Sequence, residues 1–111
     1  MKRYRALVCS LVMLTGTTFA GDFVAGERRS GLCASCHGSK GMSKDSSVAN
    51  IACQHEAYLI KALKAYQTGE RNDVDMQSIA GTLSDVDIES LATFYSAMTC
   101  RVKKPKIDVD G

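Results

Sequence analysis

The sequence predicts an all-α domain, with three main helices joined by long loops. Three observations carry that reading. The chain has 111 residues, which allows one small domain. Its apolar residues recur at helical spacing in two well-bounded segments, and no alternating run is long enough for a strand. Between them lie stretches dominated by Gly, Ser, Asn and Lys, which read as loops. Hydrophobic content of 45% and charged content of 23% are ordinary globular values, so disorder and a multi-span membrane protein are both excluded.

Residues 1–20 stand apart. Lys2, Arg3 and Arg5 precede a run from Ala6 to Phe19 that carries no charge, and Thr18-Phe19-Ala20 places small residues at the −3 and −1 positions. This is the pattern of a secretory signal peptide cleaved after Ala20. The apolar run is shorter than the roughly 20 residues a bilayer span needs, and no second such stretch follows, so no membrane span is expected after cleavage. Of 14 basic residues the signal takes three, leaving a balance of −1 against 12 acids. No basic patch suggests nucleic acid. The domain is assigned to residues 21–100, with a polar tail over 101–111.

The first helix is expected within Gly21 to Leu32, with Asp22 as N-cap and Val24, Arg28 and Leu32 at helical spacing. Gly38 to Asn50 reads as loop. Gln54 to Thr68 is the clearest interior helix, because Tyr58, Leu59, Ala62, Leu63 and Tyr66 share a stripe and Gly69 provides a stop. Glu70 to Ser78 reads as a second polar loop holding one apolar residue, Met76. The last helix starts at Ser84-Asp85-Val86-Asp87, a capping-box-like signal with acids suited to the helix dipole. Ile88, Leu91, Ala92 and Tyr95 continue it at i, i+3, i+4, i+7, and it is expected to reach Cys100.

Cys33-Ala-Ser-Cys36-His37 carries the chemistry. Two thiols one helical turn apart can each add to a vinyl group of one haem, and the next imidazole then falls beneath the iron. Cys33 and Cys36 are therefore expected to carry thioethers to one haem c, with His37 as proximal ligand. A thioredoxin-type motif would need a βαβ pattern, which is missing. A zinc site drawing on Cys53, Cys100 or His37 is the other reading, and it lacks regular ligand spacing. The sixth ligand must come from elsewhere in the chain. Met42 follows His37 too closely to round a porphyrin, Met98 is expected in the core, and His55 opens a helix where imidazoles usually face solvent. Met76, in its loop before a capped helix, is the favoured candidate. Two cysteines remain, Cys53 and Cys100. An even number in an oxidising compartment points to a disulfide between them, with buried thiols or a cross-link to a partner as alternatives.

With these residues on the page, the chain from Asp22 to Met98 resembles class I cytochrome c, the small periplasmic bacterial kind related to the domains of dihaem cytochromes. The likeness runs through Cys33 to Gly38, Ile51-Ala-Cys-Gln-His-Glu-Ala-Tyr58, Tyr66-Gln-Thr-Gly-Glu-Arg71, Met76-Gln-Ser-Ile-Ala80, Leu83 to Ile88 and Leu91-Ala-Thr-Phe-Tyr95. Met76 placed seven residues before a Leu-Ser-Asp helix start is more diagnostic than the haem motif alone. The resemblance implies a small cytochrome c fold wrapped around one covalently bound haem. It implies that the first and last helices cross near Gly26 and Tyr95, and that Tyr66 and Arg71 lie near the haem propionates. Two departures from the family pattern bear on His37. Ala49 stands where a proline is usual, whose backbone in the family helps orient the proximal histidine, and Cys53 stands where glycine is common.

The function expected is periplasmic electron transfer through one haem with His/Met ligation. Redox proteins would be donor and acceptor, among them a flavoprotein or a respiratory oxidase. Nothing supplies a general base, nucleophile or substrate pocket, so the protein is not expected to be an enzyme. The competing reading is a monohaem subunit of an oxidoreductase complex such as flavocytochrome c sulfide dehydrogenase. A third, a ligand-binding haem protein, would need an open sixth position.

Overall fold

The computed structural model describes residues 21–100; the expected signal peptide (1–20) and polar tail (101–111) lie outside the described residues. Five helices follow one another, with no strand among the described residues: α1 (Phe23–Arg29), α2 (Gly31–His37), α3 (Glu56–Thr68), α4 (Val74–Gly81) and α5 (Asp85–Ser96). The three expected helices are α1, α3 and α5.

The expected first helix is broken in two at Ser30. Its hydroxyl donates to the Glu27 carbonyl at 2.7 Å, and its carbonyl restarts the ladder by accepting from Cys33 and Ala34. At the front of α1, Asp22 Oδ1 accepts from the backbone of Val24 and Ala25. α1 lies across α5 where neither helix carries bulk. A Cβ on Gly26 would fall 2.8 Å from Phe94 Cβ and closer still to the Ser90 carbonyl. Ser90 is itself buried, and its Oγ accepts from Asp22 N at 3.2 Å. The crossing is closed by the Phe23 and Phe94 rings, 5.1 Å apart, and by Arg29, which grips both carboxylate oxygens of Asp87 at 3.2 Å.

α5 is the spine of the core. Ile88, Leu91, Ala92, Phe94 and Tyr95 are buried along it, with Leu59 of α3 and Leu83 packed against them. Ser84 caps it in a full capping box: its Oγ accepts from Asp87 N, and Asp87 Oδ2 accepts from Ser84 N. The helix ends at Ser96, four residues short of the expected Cys100. The Tyr95 carbonyl is taken by the N–H of Cys53 at 2.9 Å and that of Met98 at 3.2 Å, so the chain turns instead of continuing. Met98 packs on the core as expected. That turn brings Cys100 to Cys53. Their sulfurs are bonded with the Cα atoms 5.8 Å apart, inside the roughly 4.4–6.8 Å range a disulfide accepts.

The expectation of a loop over Glu70 to Ser78 is corrected. α4 begins at Val74, and Met76 sits in its first turn, where the N–H of Met76 donates to the N-cap side chain of Asp73 at 2.8 Å. At the other end Gln67 of α3 donates its amide to the carbonyls of Ala80 and Leu83, each at 2.9 Å, tying the end of α4 and the turn after it to α3.

Candidate haem site

α2 carries Cys33, Cys36 and His37 in its last turn and a half, and Gly38 stops it. Gly38 adopts φ +82, and a Cβ there would collide with the Met42 carbonyl, so the turn after the histidine requires glycine. His37 is buried, and its Nδ1 lies 2.7 Å from the Ala49 carbonyl. A carbonyl has no proton to give, so Nδ1 donates and Nε2 keeps its lone pair for a metal. The residue that replaces proline at position 49 thus still supplies the oxygen that orients the imidazole.

The strand-like segment bearing that oxygen is held from several sides. Gly41, at φ +67 and pressed against Ala52 and Tyr95, accepts at its carbonyl from Ile51 N at 2.8 Å and Ala52 N at 3.0 Å. Asn50 Oδ1 accepts from Ser43 N at 2.7 Å. Cys53 has φ +54, the left-handed region that costs a residue with a Cβ about 1–2 kcal/mol. The position the family commonly fills with glycine is one where the backbone asks for it.

α2, the 47–51 segment, α3, α4 and α5 enclose a cavity of about 590 Å³. Cys33, Cys36 and His37 line it on one side. Met76 and Ile79 of α4 line it from another, with Leu59, Leu83 and Leu91 among the apolar walls. Met42, His55 and Met98 are not among its lining residues. His55 is an exposed N-cap residue of α3 without a side-chain capping bond. Tyr66 and Arg71 both line the cavity, and the Arg71 guanidinium lies 4.7 Å from the Tyr66 ring centre. Burial pushes the Cys33 thiol up from its ordinary pKa, against a hydrogen bond with Tyr95 that pulls it partly back. Burial, reinforced by Cys33, also raises the Tyr95 hydroxyl, which stays protonated and reaches the Ser30 carbonyl at 3.4 Å. Neither thiol of the motif is in a disulfide. Among the described residues no cluster of His, Cys, Asp and Glu could hold a metal ion, so the zinc reading finds no cage.

Two free thiols on one turn, an imidazole with its outer nitrogen available and an apolar cavity before them fit a covalently attached haem. The acceptor for His37 came from the resemblance, which assigns the orienting backbone to position 49; the residues alone do not show it, because a backbone carbonyl has no side-chain signature.

These features define a c-type haem protein, and the comparisons agree. No protein-family model matches the chain. Cytochrome c-554(548) of Halomonas halodenitrificans is 40% identical over 81 residues, covering 70% of this chain and 98% of that protein. Cytochrome c4 of Pseudomonas aeruginosa is 31% identical over 111 residues, covering 95% of this chain and 55% of the relative. The crystal structure of reduced recombinant cytochrome c4 from Pseudomonas stutzeri superposes with a TM-score of 0.65 at 26% identity, over 69% of this chain and 48% of that one. Thiosulfate dehydrogenase from Marichromatium purpuratum superposes with a TM-score of 0.67 at 25% identity, over 79% of this chain and 21% of that one.

The chain belongs to the class I c-type cytochromes, in the group related to the domains of dihaem cytochromes. It is a haem protein of electron transfer, and it spans about half the length of the cytochrome c4 relatives it matches. Among the described residues no helix is long and apolar enough to cross a membrane.

Proposed function

We propose that this chain is a periplasmic electron carrier rather than an enzyme, holding one haem c through Cys33 and Cys36 with His37 and Met76 as axial ligands. The observation that supports it most directly is the cavity, which gathers all four side chains and leaves out Met42, His55 and Met98. When bound, haem supplies a one-electron Fe(III)/Fe(II) couple. The chain's own residues set its conditions. His37 presents Nε2 because Ala49 holds Nδ1 as a donor. Met76 offers a soft thioether from a capped helix turn, a donor that favours the reduced metal relative to a second imidazole. The walls of α3 and α5 keep water from the buried side, and Arg71 is positioned to pair a carboxylate at the cavity rim.

The test is optical. The haem is expected to remain with the denatured chain, and the ferric protein to show the weak red sulfur-to-iron band. Met76→Ala should lose that band and let the ferrous protein bind carbon monoxide, while Met42→Leu and Met98→Leu leave both unchanged. A band that survives M76A would remove Met76 from the iron.

A second reading, a cytochrome subunit docked on an oxidoreductase, is favoured by one observation. The likeness extends to the thiosulfate dehydrogenase above and to a thiosulfate dehydrogenase electron acceptor of Thiomonas intermedia, 34% identical over 67 residues. Thiosulfate dehydrogenase, rather than a flavin-dependent sulfide dehydrogenase, is then the partner to try first. Co-elution of the two on size exclusion from native extracts would support it, and a monomeric cytochrome reduced only in transient encounters would oppose it.

A further inference from the structure

We propose that Cys53 and Cys100 are positioning residues for the haem ligand His37, their bond doing for the backbone at position 53 what glycine would do unaided. The inference rests on the reading above only in taking His37 as an iron ligand.

Cys53 sits at φ +54, which a residue with a Cβ does not hold without support. Its N–H donates to the Tyr95 carbonyl at 2.9 Å, and its side chain is tied to Cys100 just past the end of α5. Both restraints pull on one residue from one helix end. Relaxation of Cys53 toward the ordinary right-handed or extended regions would break the Tyr95 bond and swing the residues before it. Those residues are Ile51 and Ala52, bonded to Gly41, and Ala49, whose carbonyl holds His37 Nδ1 at 2.7 Å. The path from disulfide to imidazole is four residues of backbone. A looser Ala49 carbonyl makes His37 a less basic donor, which favours the reduced metal.

The experiment uses the full haem-loaded chain and two readouts, the exchange rate of the His37 Nδ1 proton in the ferrous protein by NMR and the midpoint potential. In C53A/C100A the proton should exchange at least tenfold faster than in the wild type, with the potential shifted upward. In C53G/C100A, where glycine adopts the left-handed turn freely, both should return to wild-type values although the disulfide is gone. If the alanine pair does not accumulate, C53N/C100A takes its place in the comparison and should exchange faster than C53G/C100A with the potential shifted upward, asparagine being the next best residue for that turn; an asparagine pair indistinguishable from the glycine pair overturns the proposal. Glycine and alanine pairs that behave alike, or a glycine pair that departs from the wild type as far as the alanine pair does, overturn the proposal. Failure of the underlying reading looks different, because the wild-type ferrous protein would then show no haem-shifted imidazole N–H at all.

Discussion

At the scale of single residues, the motif from Cys33 to His37 was legible because its chemistry is written in side chains at fixed spacing. What completes it came only through the family resemblance, which assigned the orienting backbone to position 49. His37 is oriented by a carbonyl twelve positions on, and any residue type at 49 carries one. The close approach of α1 and α5 leaned on the family resemblance, since Gly26 in a helix looks like a weak spot until Ser90 and Phe94 are seen against it. Gly26→Ala is accordingly expected to destabilise the protein by about 1–3 kcal/mol, as overpacking does, where an exposed helical glycine would gain from the same change. Denaturant unfolding of the haem-loaded protein measures it. The resemblance named Tyr95 as well, and its buried hydroxyl does reach the α1–α2 break.

At the scale of elements, the segments that announced themselves were those with an apolar stripe between a cap and a stop. α5 is the clearest, and α3 nearly as clear. α4 escaped because eight residues are too few to display a stripe and because its first residue, Val74, is 81% exposed. The start signal was there in Asp73, with Asp75 in the first turn, but polar neighbours on both sides hid it. The helix depends on its ties to others. Gln67→Ala should cost about 1–2 kcal/mol by removing the amide that ties the Ala80 and Leu83 carbonyls to α3, and should lower the denaturant concentration at which the red sulfur-to-iron band disappears. At the head of α5, Ser84→Ala is expected to cost about 1 kcal/mol. The same cap sets a pH limit. The Ser84 backbone N–H holds the Asp87 carboxyl below the usual carboxylate range against a burial effect that opposes it, and Arg29 adds to the lowering. A lowered folded-state pKa means the contribution is complete above about pH 4 and is lost as pH falls through the lowered value. Asp87→Asn should flatten that acid limb in thermal unfolding between about pH 4 and pH 2.

For the whole molecule, the fold class and the order of the three main helices could be read from the sequence; the even number of cysteines favoured pairing Cys53 with Cys100 but left buried thiols and a cross-link to a partner open, and the structure joins them. The left-handed backbone at Cys53 could not be read there, because φ is set by the tertiary path between α5 and α3. On a chain-entropy basis the bond between those two residues contributes at most about 4 kcal/mol. Loss of the bond in C53A/C100A should therefore lower the unfolding midpoint in denaturant and steepen the transition, because the unfolded chain expands further without its cross-link, with C53G/C100A recovering about 1 kcal/mol of the loss.

The two pairs of cysteines have opposite chemical fates on one short chain. Cys53 and Cys100 are joined across 47 positions, while Cys33 and Cys36 are free, and on the proposed function they must stay reduced until they meet two vinyl groups. Four thiols can pair in three ways, and the pairing of nearest neighbours forms fastest as a chain emerges. That pairing joins Cys33 to Cys36 and blocks attachment. On that reading, haem loading is expected to need a dithiol reductant that opens the short ring and spares the long one. The long ring has a tie in the fold beyond its own bond, since the Cys53 N–H donates to the Tyr95 carbonyl at the end of α5 at 2.9 Å.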